Sequence, residues 1–368
     1  MNATAGKARF HALTVAEVRR ETPDAISVAL SVPAELRDAF RFTPGQHLTL
    51  RRAFDGEELR RSYSVCSGLD DGELRVGIKG VPGGTFSTWA AEALRPGDTL
   101  EAMPPEGRFG LEPDPAAPPR TVLGIACGSG ITPVLSIARS LLAREPRSRV
   151  VLLYGNRSAS DIMFREDLED LKDRHLARLT VVHVLSREKH ELAALHGRLD
   201  RERVASLIPG LVRPGEIAAA FLCGPSGMAE GATEALVSLG VMPGRIHVER
   251  FTPAGTVAPR PSVPRPGAAA VTDAPPAAML EVVWEGVTRT VPMRPDETLL
   301  EAGLRAGLDL PWSCRGGMCC TCRAKVTGGE VAMDVNYSLQ PWETEAGFVL
   351  TCQSRPRSPT VAVDYDAA

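Results

Sequence analysis

The chain has 368 residues, 43% of them hydrophobic and 24% charged, and a formal net charge of −3, so it is long enough for two or three domains with cores of their own. The composition argues against a membrane-spanning helix, which needs roughly 18 consecutive apolar residues, and the near-neutral charge argues against a nucleic-acid binder. Because the N-terminal residues also lack the apolar segment of a secretory signal, we expect a cytoplasmic protein with no membrane and no nucleic-acid partner.

Residues 1–115 predict an antiparallel barrel or sandwich. Turn pairs such as Pro44-Gly45 and Pro96-Gly97 separate short β segments, and this close spacing is typical of such folds. One helix is predicted at about Thr85 to Leu94. Examples of the predicted strands are AISVAL (25–30), HLTLRRAF (47–54), RSYSVCS (61–67), ELRVGIKG (73–80) and DTLEAMP (98–104).

Two polar segments of this block are suited to a flavin nucleotide. Strand alternation puts Arg61 and Tyr63 on one face, where a guanidinium can pair with a pyrophosphate and a phenol can lie against the flavin ring. Ser64 can hydrogen-bond the flavin edge. The segment 83–87 opens the predicted helix, whose free N–H groups attract phosphate. Taken alone, R-S-Y-S fits an ordinary barrel strand with a surface arginine equally well.

From Arg120 the pattern changes to apolar strands that alternate with amphipathic helices. This alternation predicts βαβ units and a parallel sheet over residues 116–251. The predicted strands are RTVLGIA (120–126), RVVLLYG (149–155), LTVVHVLS (179–186), AAAFLCG (218–224) and RIHVERF (245–251).

The turn after the first of these strands is rich in glycine. Gly128 and Gly130 lie between the strand and a helix, where dinucleotide phosphates bind, and Pro133 suits the start of that helix. The segment differs from G-x-G-x-x-G, so by itself it is only moderately specific. Cys223-Gly224-Pro225 ends a later strand at the same edge of the sheet. From its position alone, Cys223 fits a buried small hydrophobic residue.

Residues 252–278 contain seven prolines and no aromatic residue. Such a segment cannot bury a core, and we expect it to act as a semi-rigid tether. The last block, residues 279–368, opens with a predicted strand pair, LEVVWEG and TRTVPM, and the helix ETLLEAGLRAG. It has 8 Lys and Arg against 12 Asp and Glu, a net charge of −4, which supports a separate module with a partner surface of its own.

Four cysteines of this module form a metal-ligand pattern. Cys314, Cys319 and Cys322 have the x4 and x2 spacing of plant-type [2Fe–2S] proteins, and Cys352 follows thirty residues later. Glycines in the loop let backbone N–H groups approach the cluster sulfides. Structural zinc prefers two separated C-x2-C pairs, so this spacing fits zinc less well. Cys320 lies out of register and is expected to be a bystander.

The motifs together resemble a known family. RSYS, GGTFS, GSGITP and CGPSGM, in this order, are similar to the ferredoxin–NADP reductase family, which joins an FAD-binding Greek-key barrel to a nicotinamide-binding α/β domain. DLPWSCRGGMCCTCRAKVTGGEV and VLTCQS are similar to plant-type ferredoxins, which have a β-grasp fold. The whole order resembles the reductase components of multicomponent oxygenases. PGQHLTL, FDGEELRRSYS, LLYGNR, HVERF and VAMDVNYSL carry the likeness to a reductase whose oxygenase adds oxygen to the aromatic ring of a CoA thioester.

This resemblance implies electron transfer from NADPH to FAD, then to the [2Fe–2S] cluster, and then to the oxygenase subunits of a multicomponent monooxygenase. Candidate catalytic residues are Tyr63, Ser64, Cys223 and Glu249. Candidate FAD contacts are Arg61, Ser62, Tyr63, Ser64, Gly77, Lys79, Gly84, Thr85, Phe86 and Ser87. Candidate nicotinamide contacts are Gly128, Gly130, Thr132, Arg157, Ser158, Ser186, Arg187, Cys223, Gly224, Pro225 and Met228, with Thr132 expected between flavin and nicotinamide.

Some alternatives stay open at this point. Arg157 with Ser158, and Ser186 with Arg187, lie at strand ends without an adjacent acid, which favours NADPH over NADH, although each arginine also fits a solvated loop cation. The acceptor can be another oxygenase, such as a steroid or aromatic-ring hydroxylase, or a hybrid-cluster protein. A different class of function is an iron–sulfur redox sensor or passive carrier, but intact flavin and nicotinamide motifs argue against it.

Overall fold

The computed structural model describes residues 9–189, 191–251 and 276–367. Residues 252–275, which make up most of the predicted tether (252–278), lie outside the described residues. None of the described helices combines the length and the apolarity that crossing a bilayer requires.

The first group of strands forms a barrel. Val65, just after the fourth strand, bridges to Val76 in the fifth and so joins the two edges of a six-stranded antiparallel sheet. The elements are β1 (His11–Thr22), β2 (Ala25–Ser31), β3 (His47–Phe54), β4 (Glu57–Ser64), β5 (Leu74–Lys79), α1 (Thr85–Ala93) and β6 (Thr99–Ala102). The strand order is β4-β3-β6-β1-β2-β5, which confirms the predicted barrel.

The second group is a five-stranded parallel sheet flanked by helices. Its elements are β7 (Thr121–Cys127), α2 (Ile131–Arg144), β8 (Arg149–Asn156), α3 (Arg165–Arg174), β9 (Leu179–Leu185), α4 (Arg201–Leu211), β10 (Ile217–Cys223), α5 (Ser226–Ser238) and β11 (Ile246–Glu249). The order β11-β10-β7-β8-β9 reverses direction between β7 and β10. Ligands of open parallel sheets bind at such a switch point, outside the carboxyl ends of the strands.

The C-terminal residues form a third sheet, which contains both parallel and antiparallel strand pairs. Its elements are β12 (Ala278–Trp284), β13 (Val287–Met293), α6 (Leu299–Arg305), β14 (Arg323–Gly328), β15 (Val331–Met333), α7 (Pro341–Glu345), β16 (Phe348–Leu350), β17 (Ser354–Pro356) and β18 (Thr360–Asp364). The main sheet has the order β13-β12-β18-β14-β16, with β12 and β18 parallel. Glu285 and Gly286 both have positive φ, as a tight hairpin turn between β12 and β13 requires. The predicted strand pair, helix and β-grasp architecture are confirmed.

The described residues divide into two compact units. One consists of residues 9–10, 51–62 and 276–367, and the other of residues 11–50 and 63–251. The first unit therefore joins the C-terminal module to residues 51–62, the β3–β4 hairpin. The predicted boundaries, at 115/116, 251/252 and 278/279, follow the sheets rather than these units and stay a prediction.

Candidate functional site

The two segments predicted to bind flavin contain neighbouring side chains. The ring of Tyr63, on β4, lies 5.7 Å from the ring of Phe86, in the first turn of α1. Phe86 is fully buried, so its side chain anchors the loop rather than facing a ligand. Along β4, Arg61 is exposed and Ser64 is buried, in agreement with the predicted alternation. The structure therefore joins the two segments through an aromatic contact.

The loop before α1 is shaped by its own hydrogen bonds. Ser87 Oγ accepts from the Val81 amide at 3.2 Å and donates to the Gly84 carbonyl at 3.4 Å, so this hydroxyl is already engaged. A Cβ atom on Gly84 would lie 2.7 Å from Ser87 Oγ, which explains the glycine there. Exposed Thr85 follows it at the helix start. Lys79 is ion-paired with Asp24 at 3.1 Å, so its charge is partly compensated.

Helix starts near the predicted phosphate sites are without side-chain caps. Among the described helices, α1, α2, α3 and α5 have no capping side chain, whereas α4, α6 and α7 have one. Three of the four uncapped helices begin at the predicted FAD and nicotinamide segments, and α3 begins with acidic residues in its first turn. Uncapped amides are the groups that bind phosphate, so these segments fit a dinucleotide.

At the switch point, the turn after β7 lies directly against the end of β10. A Cβ atom on Gly130 would lie 2.1 Å from the Cys223 carbonyl oxygen, so only glycine allows this approach. A hydrogen bond from β8 also fixes the turn, because the hydroxyl of the buried Tyr154 donates to the Gly128 carbonyl at 3.0 Å. Sequence reasoning missed Tyr154, which reads as an apolar residue of β8.

Thr132 connects this turn with the barrel. It is buried at the start of α2, and its hydroxyl donates to the Ser129 carbonyl at 2.9 Å. A Cβ atom on Gly77, in β5, would lie 2.5 Å from Thr132 Cγ2. Thr132 therefore lies between the barrel strand and the glycine turn, which agrees with its expected place between two cofactors. That role stays a prediction.

The segment after β10 is equally tight. A Cβ atom on Gly224 would lie 2.6 Å from the terminal methyl carbon of Met228 and 3.0 Å from Cβ of Cys127. Pro225 follows as the cap residue of α5. The structure thus places the predicted nicotinamide residues of β10 and α5 beside those of β7.

Three of the four candidate catalytic residues meet at this edge. Cys223 and Glu249 are in register on the parallel strands β10 and β11. Burial raises the pKa of Glu249 to about 7, against the opposing effects of nearby His47 and a hydrogen bond from Ser64. Glu249 Oε2 is shielded from solvent and has no hydrogen-bond partner among the described residues. Burial, together with Glu249, raises the pKa of the Cys223 thiol well above its usual value, so Cys223 is a neutral thiol.

His47 was not predicted to belong to this group. It lies in the PGQHLTL segment at the start of β3, and its Nε2 is 3.6 Å from Glu106 Oε1. The sequence signal available was a histidine next to the alternating leucines of HLTL, at the start of β3.

We expect Glu249→Gln to stabilise the protein above neutral pH. The folded-state pKa of about 7 exceeds the ordinary value of 4.5, so the wild type is stabilised by a bound proton below about pH 4.5 and loses that contribution as pH rises through 7. Glutamine is neutral throughout, and the relative gain reaches at most about 3 kcal/mol. Urea unfolding at about pH 5 and about pH 8 measures it. Exposed Glu234, changed to Gln, is the matched control. A Glu249→Gln effect of equal size at both pH values would contradict the buried, protonated carboxyl.

The predicted 2′-phosphate site is more acidic than expected. A backbone hydrogen bond joins the segments after β8 and β9 that form this site, since the Arg187 amide donates to the Arg157 carbonyl at 2.8 Å. However, Arg157 forms ion pairs with both Asp24 and Asp161, and Ser158 Oγ donates to Asp161 at 2.6 Å. The premise that no acid lies next to this pair is therefore wrong. Asp161 is four residues from Arg157, but Asp24 comes from a distant turn that no local pattern reveals.

Ser186 occupies the corresponding place after β9. Its amide donates to the Asn156 carbonyl at 2.9 Å, which continues the pairing of β8 and β9. The two predicted pairs are therefore brought together, at the edge of the sheet where ligands bind.

The four predicted cluster cysteines approach each other in two pairs. Hydrogen bonding from the Cys319 thiol and from backbone amides, including that of Gly316, lowers the pKa of Cys314 to about 6. Cys322 and Cys352 form the second hydrogen-bonded pair. Two pairs of thiols fit two irons that share sulfides. No group of three or more His, Cys, Asp or Glu side chains in the described part of the chain is arranged around a single ion.

The loop between these cysteines turns its amides inward. Arg315, Gly317 and Cys320 have φ values of 51°, 77° and 59°, which place successive N–H groups on the inner side. The Gly316 amide donates to Cys314 Sγ at 3.3 Å, and the Gln353 side-chain amide donates to Cys352 Sγ at 3.4 Å. Such donors are what thiolate ligands and cluster sulfides need, so the residues fit the cluster.

Comparison with known families agrees with this division. Residues 12–110 match the oxidoreductase FAD-binding domain, residues 125–234 the oxidoreductase NAD-binding domain, and residues 282–357 the 2Fe-2S iron-sulfur cluster binding domain. The chain therefore has FAD, a nicotinamide nucleotide and a [2Fe–2S] cluster as cofactors, as predicted. The individual contact residues remain predictions.

Individual proteins are similar over nearly the whole chain. The chain is 45% identical to one of the subunits of 1,2-phenylacetyl-CoA epoxidase from Escherichia coli (strain K12), over 97% of this chain and 98% of that protein. It is 34% identical to the 3-ketosteroid-9-alpha-monooxygenase ferredoxin reductase component of Rhodococcus rhodochrous, over 88% and 87%. The structure of phthalate dioxygenase reductase shares the fold, with a TM-score of 0.58 and 21% identity over 96% of this chain and 98% of that one. The chain thus belongs to the family of FAD- and nicotinamide-dependent oxidoreductases with a C-terminal 2Fe-2S domain, to which reductase components of oxygenases belong.

Proposed function

We propose that this protein is the reductase that supplies electrons from NADPH to the oxygenase subunits of a phenylacetyl-CoA ring epoxidase, in the degradation of phenylacetate. The observation that carries the proposal is 45% identity to a component of such an epoxidase across 97% of the chain, including all three cofactor-binding regions. A steroid monooxygenase is the second candidate acceptor, because a reductase component of such a system is 34% identical.

The cofactors, when bound, accept a hydride and release its electrons one at a time, while the chain supplies binding and orientation. The close packing of Gly130 against the Cys223 carbonyl holds together the two backbone segments that we expect to bind the nucleotide. Ser64 opposes the burial that raises the pKa of Glu249, and a carboxyl with a pKa of about 7 can hold or release a proton near neutral pH. Cys223, a neutral buried thiol, shapes the site without charging it.

NADPH as donor rests on the positive groups Arg157 and Arg187 at the ends of β8 and β9. We expect Asp161→Asn to raise the preference for NADPH over NADH by about fivefold, the size of one charge interaction near a surface. One of the two carboxylates that compensate Arg157 is then removed, and more of its charge is available to a 2′-phosphate. The ratio of kcat/KM values for the two nucleotides measures this. Glu169→Gln, on α3, removes an exposed partner of Arg165 and serves as control. If the ratio of kcat/KM values is unchanged in Asp161→Asn, Arg157 does not determine the choice between NADPH and NADH.

The acidic C-terminal module is a candidate surface for the oxygenase, but two of its acids have structural partners. Glu297 is ion-paired with Arg305 at 2.6 Å, and Glu301 accepts from the Thr298 amide in a capping box. Charge-reversal experiments at these positions would disturb α6. Exposed acids outside this helix, such as Glu281 and Glu345, are better probes of partner binding.

The test of the proposed function is anaerobic reduction of the holoprotein by NADPH, followed by mixing with phenylacetyl-CoA oxygenase subunits, substrate and oxygen. Epoxide-derived product in proportion to NADPH consumed supports the proposal. Reduction of flavin and cluster without product removes the proposed acceptor, and a ketosteroid oxygenase is then tested. Sustained NADPH oxidation with an artificial acceptor distinguishes a reductase from a sensor.

A cytoplasmic location is part of the proposal. None of the eight cysteines, all of which lie in the described residues, forms a disulfide, which suits a reducing compartment. Cell fractionation with activity assays tests this location.

A further inference from the structure

The β3–β4 hairpin, residues 51–62, contains a buried arginine that sequence reasoning did not single out. Only 5% of Arg60 is exposed, although the hairpin around it is mostly exposed. A buried guanidinium is costly unless it is paired. Within the hairpin Arg60 has one such partner, Glu58, whose Oε1 accepts from Nε at 2.7 Å. The remaining partners of Arg60 lie elsewhere in its unit.

Two of those partners, Asp309 and Trp312, lie just before the first predicted cluster cysteine. The Arg60 guanidinium lies 4.4 Å from the centre of the Trp312 ring and 3.6 Å from the Asp309 carboxylate. Phe10 contributes a second ring at 4.8 Å. Trp312 itself is buried, and Arg315 lies over the same ring at 4.2 Å. The burial of Arg60 is therefore compensated when the hairpin and this loop are together.

A second contact lies next to the first. The hydroxyl oxygens of Ser62 and Ser313 are 2.8 Å apart. Along the chain, Ser62 directly precedes Tyr63, a candidate flavin contact, and Ser313 directly precedes Cys314, a cluster ligand. The hydrogen bond thus joins the chain positions adjacent to the two redox sites.

We propose that Arg60, Trp312 and the Ser62–Ser313 pair form a docking contact that positions the cluster loop for electron transfer from the flavin. The inference rests on the proposed function and names positioning residues for it. The contact consists of a cation between two aromatic rings, a long ion pair and one hydroxyl hydrogen bond, so the apolar surface exposed on opening would be mainly that of these rings. Opening frees the cluster loop for an external acceptor.

The electron balance sets how often the contact is used. The cluster would take one electron at a time, so oxidation of one NADPH would give NADP⁺, one proton and two electrons that leave through the cluster in succession, each passed on to the external acceptor. Each docking passes one electron, so two dockings follow each hydride.

The test is stopped-flow mixing of the anaerobic holoprotein with NADPH, with flavin and cluster bleaching followed separately. In Arg60→Gln we expect flavin reduction at the wild-type rate and cluster reduction slowed by about tenfold, the size expected for one desolvated cation–π contact. Arg60→Lys keeps the charge and should recover much of the rate. Arg52→Gln, an exposed arginine of the same hairpin, is the matched control and should behave as wild type.

A purely structural role for Arg60 would lower stability and leave the cluster-to-flavin rate ratio unchanged, which overturns the proposal. Equal slowing of flavin and cluster reduction overturns it as well. If Arg60→Gln does not fold, Asp309→Lys serves instead, because 76% of the Asp309 side chain is exposed and lysine would repel Arg60. A wild type whose flavin is not reduced by NADPH would reject the proposed function separately, and photoreduction of the flavin would then still test the contact.

Discussion

Replacing Cys352 by serine is expected to eliminate electron delivery through the cluster while leaving NADPH oxidation at the flavin intact. Cys352 is buried and pairs with Cys322, so its loss would remove one of the two thiols that we predict to bind the same iron. We expect cluster-dependent acceptor reduction to fall by more than about 100-fold, because even changes to the outer partners of metal ligands cost 10–100-fold. Cluster absorbance, the electron paramagnetic resonance signal of the reduced cluster and iron content per chain measure the loss.

The control for this variant is Cys320→Ser. Cys320 lies in the same loop, between two ligands, but its place in the spacing excludes it from the four-cysteine pattern. This variant should keep the cluster spectrum and the acceptor rate. A normal cluster in Cys352→Ser, or an equal loss in Cys320→Ser, would show that the assignment of ligands is wrong. Ferricyanide reduction, which the flavin can perform directly, should stay near the wild-type rate in both variants.

The second large effect is expected from Gly130→Ala. The added Cβ would lie 2.1 Å from the Cys223 carbonyl oxygen and 2.5 Å from its carbonyl carbon, so the turn after β7 must move away from the end of β10. Both sides of the switch point belong to the predicted nicotinamide site, and a displacement of about 1 Å at a reacting centre can cost about 100-fold in rate. We expect flavin reduction by NADPH to slow by that order, with FAD content unchanged.

Gly227→Ala is the matched control for this glycine. Gly227 lies in α5 at the same edge of the sheet, and an added Cβ would meet no atom within 4 Å. Photoreduction distinguishes a defect in the nucleotide site from general damage, because light-reduced flavin in Gly130→Ala should still reduce the cluster at the wild-type rate. Wild-type hydride transfer in Gly130→Ala would mean that the close approach has no part in catalysis.

Most of the architecture was predictable because its signals are local. The strands of the parallel sheet are short apolar runs, such as RVVLLYG, which became β8 (Arg149–Asn156). The cluster loop follows from cysteine spacing alone. By contrast, β1 (His11–Thr22) was missed, since its second half is charged and only Leu13, Val15 and Thr22 are buried. Because Arg19, Arg20 and Glu21 are consecutive, charges fall on both faces of this half of the strand, and the apolar–polar alternation that indicates a half-buried strand is lost.

The site was predictable only where its residues follow one another in the chain. Ser64, Cys223 and Glu249 were selected by resemblance, and their meeting depends on barrel closure and on the order of β10 and β11. Arg60 was overlooked because charge in a hairpin normally indicates a solvated side chain. The ion pair of Arg157 with Asp24 was overlooked for the same reason, since the two residues are 133 positions apart. Tertiary pairing of charges leaves no periodic trace in a sequence.

The parallel pairing of β12 with β18 has a consequence for biosynthesis. Met279 pairs with Thr360 and Val283 with Asp364, so the central strands of the module come from opposite ends of its sequence. A ribosome must therefore release about eighty residues after β12 before the sheet can close, and Cys352 emerges near the end of that interval. The cluster can be inserted only into an essentially finished chain, whereas all six strands of the barrel lie within residues 11–102 and are synthesised first. Flavin loading can thus precede iron–sulfur assembly, and we expect a shortage of iron to leave a flavoprotein that oxidises its nicotinamide nucleotide without delivering electrons to an acceptor.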